Sequence, residues 1–109
     1  MRIWDLSPRL LCRNHLLGEH NEIHAIWSVI TGGRKGYARH PEVMRWRGRL
    51  RALSARHDRI VEEMIRRGWN HRSPLDRRKA TGSPRQTCLV NTLAEQRKIL
   101  HKKGCDCRV

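Results

Sequence analysis

Ser7-Pro8-Arg9-Leu10-Leu11-Cys12-Arg13-Asn14-His15-Leu16-Leu17-Gly18-Glu19-His20-Asn21-Glu22-Ile23-His24-Ala25-Ile26-Trp27-Ser28-Val29-Ile30 is the stretch whose reading decides the fold class. Cys12, Leu16, Ile23, Ile26, Trp27 and Ile30 recur at helical spacing and form one apolar stripe. Ser7 is a suitable N-cap, and Pro8 suits the first helical position, where its missing N–H costs nothing. Gly32 and Gly33 stop the run. The spacing predicts a helix from Pro8 to Ile30.

A second stripe follows. Trp46, Leu50, Leu53, His57, Ile60 and Met64 alternate steps of four and three, predicting a helix opened by Pro41 and reaching Arg67, with Gly68 as its C-terminal cap. Arg45, Arg47, Arg49, Arg51 and Arg56 fall largely outside that stripe. Thr92 with Glu95 three residues on is a capping-box pattern that starts a third helix, which ends at Gly104. Between them, residues 69–91 hold Ser73-Pro74 and Gly82-Ser83-Pro84 and show no period, so this long loop is either functional or hides a short helix. Residues 105–109 are a tail. With no repeat and no strand pair, the expectation is an all-α, small single domain over residues 1–109: two long helices and one shorter C-terminal helix, loop-rich between.

Lys and Arg number 24 against 10 Asp and Glu, a formal charge of +14 over 109 residues. Such an excess is useful mainly against a polyanion, and nucleic acid is the natural one, since each neutralised phosphate releases a condensed counterion. No apolar run approaches the roughly 20 residues of a membrane span. Met1-Arg2-Ile3-Trp4-Asp5 lacks the apolar core of a secretory signal, so a cytoplasmic protein with reduced cysteines is expected. Residues 31–40, Thr-Gly-Gly-Arg-Lys-Gly-Tyr-Ala-Arg-His, form a glycine-rich basic loop. Arg34, Lys35 and Arg39 suit phosphate contacts there, and Tyr37 a stacked base. Trp4 is the other stacking candidate, whereas Trp27 and Trp46 sit on stripes and read as core.

Glu19 falls inside the apolar stripe of the first helix, with His15 and Glu22 along its flank. A carboxylate there is costly unless it is paired with an Arg or with backbone amides. Three ionisable groups on one helix edge also suit a site.

Met1-Arg2-Ile3, followed after a spacer by Asn14-His15-Leu16-Leu17-Gly18-Glu19-His20-Asn21-Glu22, resembles the opening of the phage endonuclease V family of pyrimidine-dimer DNA glycosylases. Ile60-Val61-Glu62-Glu63-Met64-Ile65-Arg66-Arg67-Gly68-Trp69-Asn70 is similar to that family's second long helix and its ending. The resemblance implies a glycosylase with strand-cleaving AP-lyase activity on damaged double-stranded DNA; apart from it, a monomer is expected. The nucleophilic α-amine falls on Met1, the catalytic glutamate on Glu22, and supporting roles on Arg2, His15 and Glu19, with Arg2 also at the DNA. Arg2 is too bulky for the usual removal of the initiator, so the amine is expected on Met1 itself. Two DNA-gripping helix arginines of the family fall on Asn21 and Ala25, and the family's aromatic tail is replaced by Cys105-Asp106-Cys107.

Two alternatives stand beside this reading. One is a non-catalytic basic DNA- or RNA-binding module, which needs neither Met1 nor Glu22. The other is a metal-binding nuclease using Cys12, His15, Cys105 and Cys107, chemically sound if the tail folds back on the first helix. Cys12 reads as a stripe residue and the tail cysteines as free thiols, so no metal and no cofactor is expected.

Overall fold

The computed structural model describes residues 2–33, 35–71 and 73–109. Among them lie four helices: α1 (Arg13–Gly32), α2 (Pro41–Met44), α3 (Leu50–Arg66) and α4 (Leu93–Lys102). The fold is all-α: the single sheet-like contact among the described residues is an isolated antiparallel bridge between Arg49 and Gly82.

Pro8 opens a 3-10 turn (Pro8–Leu10) rather than the long helix, and α1 starts after it, with Cys12 in the N-cap position. Leu11 is extended and buried between the two elements, so the chain turns here to bring its first residues under α1. Gly33 closes α1 in the left-handed conformation (φ 64°).

The second predicted helix is broken. α2 ends at Met44 and α3 begins at Leu50, with Gly48 at φ 73° between them. The break lets the loop of residues 81–83 cross here. Ser83 N–H donates to the Gly48 carbonyl (2.8 Å), while Arg51 and Ala52 N–H at the start of α3 donate to the Thr81 and Ser83 carbonyls (2.8 and 3.2 Å). Those carbonyls satisfy N–H groups that a helix start otherwise leaves unpaired. At the other end, Gly68 (φ 84°) accepts the chain out of α3: Trp69 N–H bonds the Met64 carbonyl and Gly68 N–H that of Ile65, both at 2.9 Å. The α4 capping box is present, with Thr92 and Glu95 exchanging both bonds.

α1 packs against α3. Leu16, Ile23, Ile26 and Trp27 join Leu53, Ile60 and Met64 in one buried cluster, completed by Ile3, Trp4, Leu6 and Leu11 of the N-terminal segment, Val43, Trp46 and Leu100. Two arginines expected on the outside, Arg45 and Arg56, are 4% and 7% exposed. They are inside because each meets a buried glutamate.

Candidate active site

Residues 3–6 belong to no helix or strand, and such a buried segment must find other partners for its peptide groups. Here buried side chains supply them. Ile3 N–H donates to Glu42 Oε1 (3.3 Å), Trp4 N–H to Glu19 Oε1 (2.8 Å) and Asp5 N–H to Gln96 Oε1 (2.8 Å). In return, the Ile3 carbonyl accepts from Arg45 (3.0 Å) and the Leu6 carbonyl from Arg56 (2.9 Å). The clasp therefore draws on α1, α2, the bend after it, α3 and α4.

Two buried ion pairs form its frame. Arg56 Nε and its terminal nitrogen reach Glu19 at 2.7 and 3.1 Å. Arg45 Nε donates to Glu42 Oε1 at 2.8 Å and also reaches Asp5 (3.0 Å) and the Cys88 carbonyl (3.0 Å). Burial pushes the Glu19 carboxyl up, and Arg56 and the Trp4 amide pull it down. Three donors converge on its two oxygens, so it serves the clasp as an acceptor. Gln96 adds a bond to Asp5 Oδ2 (3.0 Å).

The residues singled out in the sequence are distributed as follows. Met1 and Arg34 lie outside the described residues. Arg2 donates to Asn91 Oδ1 (2.9 Å) and lies over the Trp4 ring at 5.0 Å. Trp4, expected to stack on a base, is 4% exposed: its ring fills the core and its backbone is held by Glu19, so it offers DNA no face. Glu22 follows Glu19 by one helical turn, half-buried, and has no hydrogen-bond or ion-pair partner among the described residues. His15 packs edge-on against Trp4 (5.8 Å between centroids) and turns Nδ1 toward two thiols, Cys12 Sγ at 3.1 Å and Cys107 Sγ at 3.4 Å.

Lys35, Tyr37 and Arg39 are exposed in the loop before α2. Tyr37 is 68% exposed and adopts φ 61°, a conformation that costs a non-glycine residue about 1–2 kcal/mol. The turn is fixed by His40 N–H to the Tyr37 carbonyl (2.9 Å) and by Arg47 to the Ala38 carbonyl (3.1 Å).

Two groups of possible metal ligands also converge, each with its donor atoms within 4.8 Å of one another. The first is Cys12, His15, Cys105 and Cys107. The tail does fold back on α1: Arg108 N–H donates to the Leu10 carbonyl (2.7 Å) and Cys12 N–H to Cys107 Sγ (3.0 Å). Burial pushes the Cys107 thiol up to about 12. The second is His20, His24, His57 and His71, with ring centroids 4.7–5.2 Å apart. Burial, reinforced by the neighbouring imidazoles, pushes His20 down to about 4, and burial lowers His24 and His57 as well. These three rings are therefore neutral near pH 7, each keeping one nitrogen lone pair. His20 and His24 stand one turn apart in the sequence and His57 sits on an apolar stripe; what sequence spacing did not reveal is that His71, past the end of α3, reaches them.

A family model described as pyrimidine dimer DNA glycosylase matches residues 1–77. The chain belongs to the pyrimidine dimer DNA glycosylase family. No curated protein and no solved structure matched the chain. This is a family of DNA-repair glycosylases, so its substrate is DNA. The family match takes in the clasped N-terminal segment, α1, α2 and α3, and ends before the 81–83 crossing, α4 and the cysteine tail. Gln96, Asn91, Cys105 and Cys107 are thus supplied by the part of the chain beyond the match.

Proposed function

We propose that the protein excises a damaged base, such as a UV pyrimidine dimer, through the α-amine of Met1 and then nicks the strand as an AP lyase. The observation that carries this reading is the clasp on residues 3–6. Replacing buried ion pairs by apolar side chains is often neutral or stabilising, so two such pairs are poorly explained by stability alone. What they supply is placement: both peptide groups of Ile3 are fixed within about 7 Å of chain from the first residue.

An α-amine has an ordinary pKa of about 7.7–8.0, so part of it is neutral near pH 7. Arg2, steered by Asn91 and Trp4, adds a positive charge beside it that favours the neutral form further. The neutral amine attacks the sugar C1′ as the glycosidic bond breaks and the base leaves with the bonding pair. Loss of an amine proton and ring opening give a Schiff base; β-elimination then removes the 2′ proton and expels the 3′ phosphate. Glu22, free of a structural partner among the described residues, is the carboxylate that stabilises the cationic intermediate and moves these protons. Glu19 and His15 act by positioning: the first holds the Trp4 backbone, the second its ring.

C1′ is shielded in a duplex, so the nucleotide must swing out, most readily at a damaged step. Lys35 and Arg39, with Arg34 expected from the sequence, contact phosphates, and the outward Tyr37 ring stacks on an exposed base. The test is incubation with UV-irradiated and abasic duplexes, with and without borohydride. Nicking of both duplexes and a trapped adduct are expected. Binding of both without any cleavage would leave a non-catalytic DNA-binding module instead.

A further inference from the structure

The geometry points to two structural sites for a divalent cation of the zinc class, each built on a ligand pair from α1. One is Cys12, His15, Cys105 and Cys107; the other is His20, His24, His57 and His71. Neither depends on the glycosylase reading: a protein that bound both ions and cut no DNA would leave this inference standing.

Tetrahedral zinc with thiolate and imidazole ligands places its donors about 3.3–3.8 Å apart. In the first group the recorded separations are 3.1 Å between Cys12 Sγ and His15 Nδ1 and 3.4 Å between Cys107 Sγ and His15 Nδ1, with all four donors inside 4.8 Å. Closing the set around an ion needs only small side-chain adjustments. Three thiols and one imidazole are a common structural zinc set, and the thiolates select zinc over the hard cations. The tail brings its own support, since Cys12 N–H points at Cys107 Sγ (3.0 Å) and Arg108 is bonded back to Leu10.

A different observation carries the second group. Nε2 of His24 and of His57 are buried and have no hydrogen-bond partner among the described residues. Orphaned polar atoms of this kind are rare in folded proteins. Both face two further imidazoles, with Nε2 of His20 and His71 only 2.9 Å apart. Four rings presenting nitrogen to one point make a poor hydrogen-bond network and a good ligand set. The outer partners fit as well: His57 Nδ1 faces Asp58 (3.8 Å), itself beside Arg77 (3.5 Å). A carboxylate or carbonyl behind the ring is the usual way a ligating histidine is oriented.

The first ion staples the tail to the start of α1. The second ties α1, α3 and the chain after α3, in a small domain whose four cysteines are all free.

The full chain, reduced, loaded with zinc and desalted, is to be weighed by native mass spectrometry. Two retained ions per chain are expected, one after Cys105→Ser with Cys107→Ser, and one after His24→Asn with His57→Asn. Cobalt loading serves as a readout that needs no variant: a thiolate-to-cobalt charge-transfer band marks the cysteine site. Wild-type protein that is folded, retains no zinc and gives no such band overturns both sites. Retention of both ions by either double variant overturns the site it was meant to remove.

Discussion

Removing the charge at Glu19 tests the clasp most severely. Glu19→Gln keeps the volume but leaves the Arg56 guanidinium, 7% exposed, without its counter-charge. The Trp4 amide, bonded to Glu19 at 2.8 Å, keeps at best a weaker acceptor. Breaking a buried pair by removing one partner costs about 3–5 kcal/mol. Unfolding entropy is about 2.1 cal/mol/K per residue, so a chain of this length loses roughly 13–22 °C of Tm. Thermal unfolding followed by circular dichroism measures it. The paired change Glu19→Leu with Arg56→Met is expected to regain most of that loss, because neither charge is then left behind. Excision by Glu19→Gln well below its Tm should fall less than excision by a Glu22 variant. A Tm within about 2 °C of the wild type would refute the ion pair as the frame of the clasp.

Glu22→Gln is expected to keep the wild-type Tm and DNA affinity while base excision drops by about 10²–10³-fold, and undiminished turnover would make Glu22 structural. Affinity for DNA should fall with salt at a log–log slope of about −4 to −5 if some five phosphates are neutralised. Lys35→Ala with Arg39→Ala should make that slope shallower by about 2, while an unchanged slope would remove the loop from the interface. Gly82→Ala should cost about 2–4 kcal/mol in urea unfolding. Its φ is 82° and a Cβ there would stand 2.2 Å from the Gly48 carbonyl oxygen; a neutral effect would contradict the crossing at the start of α3.

The helices were legible because their cause is local. Thr92 and Glu95 cap α4 with two bonds formed within a single turn, and the stripe from Leu50 to Met64 needs only periodicity. The break at residues 45–49 was not legible, because it depends on Gly82 and Ser83 arriving from more than thirty residues away. Arg45 and Arg56 were misplaced for a related reason: an arginine off an apolar stripe is normally solvated, and only the backbone of residues 3–6 makes a buried position favourable. Trp4 adjoins Met1 in sequence and so reads as a stacking platform, yet burial of its ring is part of what anchors the segment. The cost of an unpaired Glu19 on the stripe was readable, but its partner was not. The histidine group escaped for want of any spacing rule joining α1, α3 and His71.

The central claim is that the amine of residue 1 is the nucleophile, and the most direct measurement is the site of the covalent bond. The protein is to be incubated with an abasic duplex and borohydride, digested, and the DNA-bearing peptide sequenced by mass spectrometry. An adduct on the Met1 α-amine is the expected result, with trapping abolished by an uncleaved N-terminal tag that leaves affinity nearly unchanged. An adduct on Lys35, the lysine of the exposed basic loop, or full lyase activity in protein acetylated only at Met1, would contradict the account.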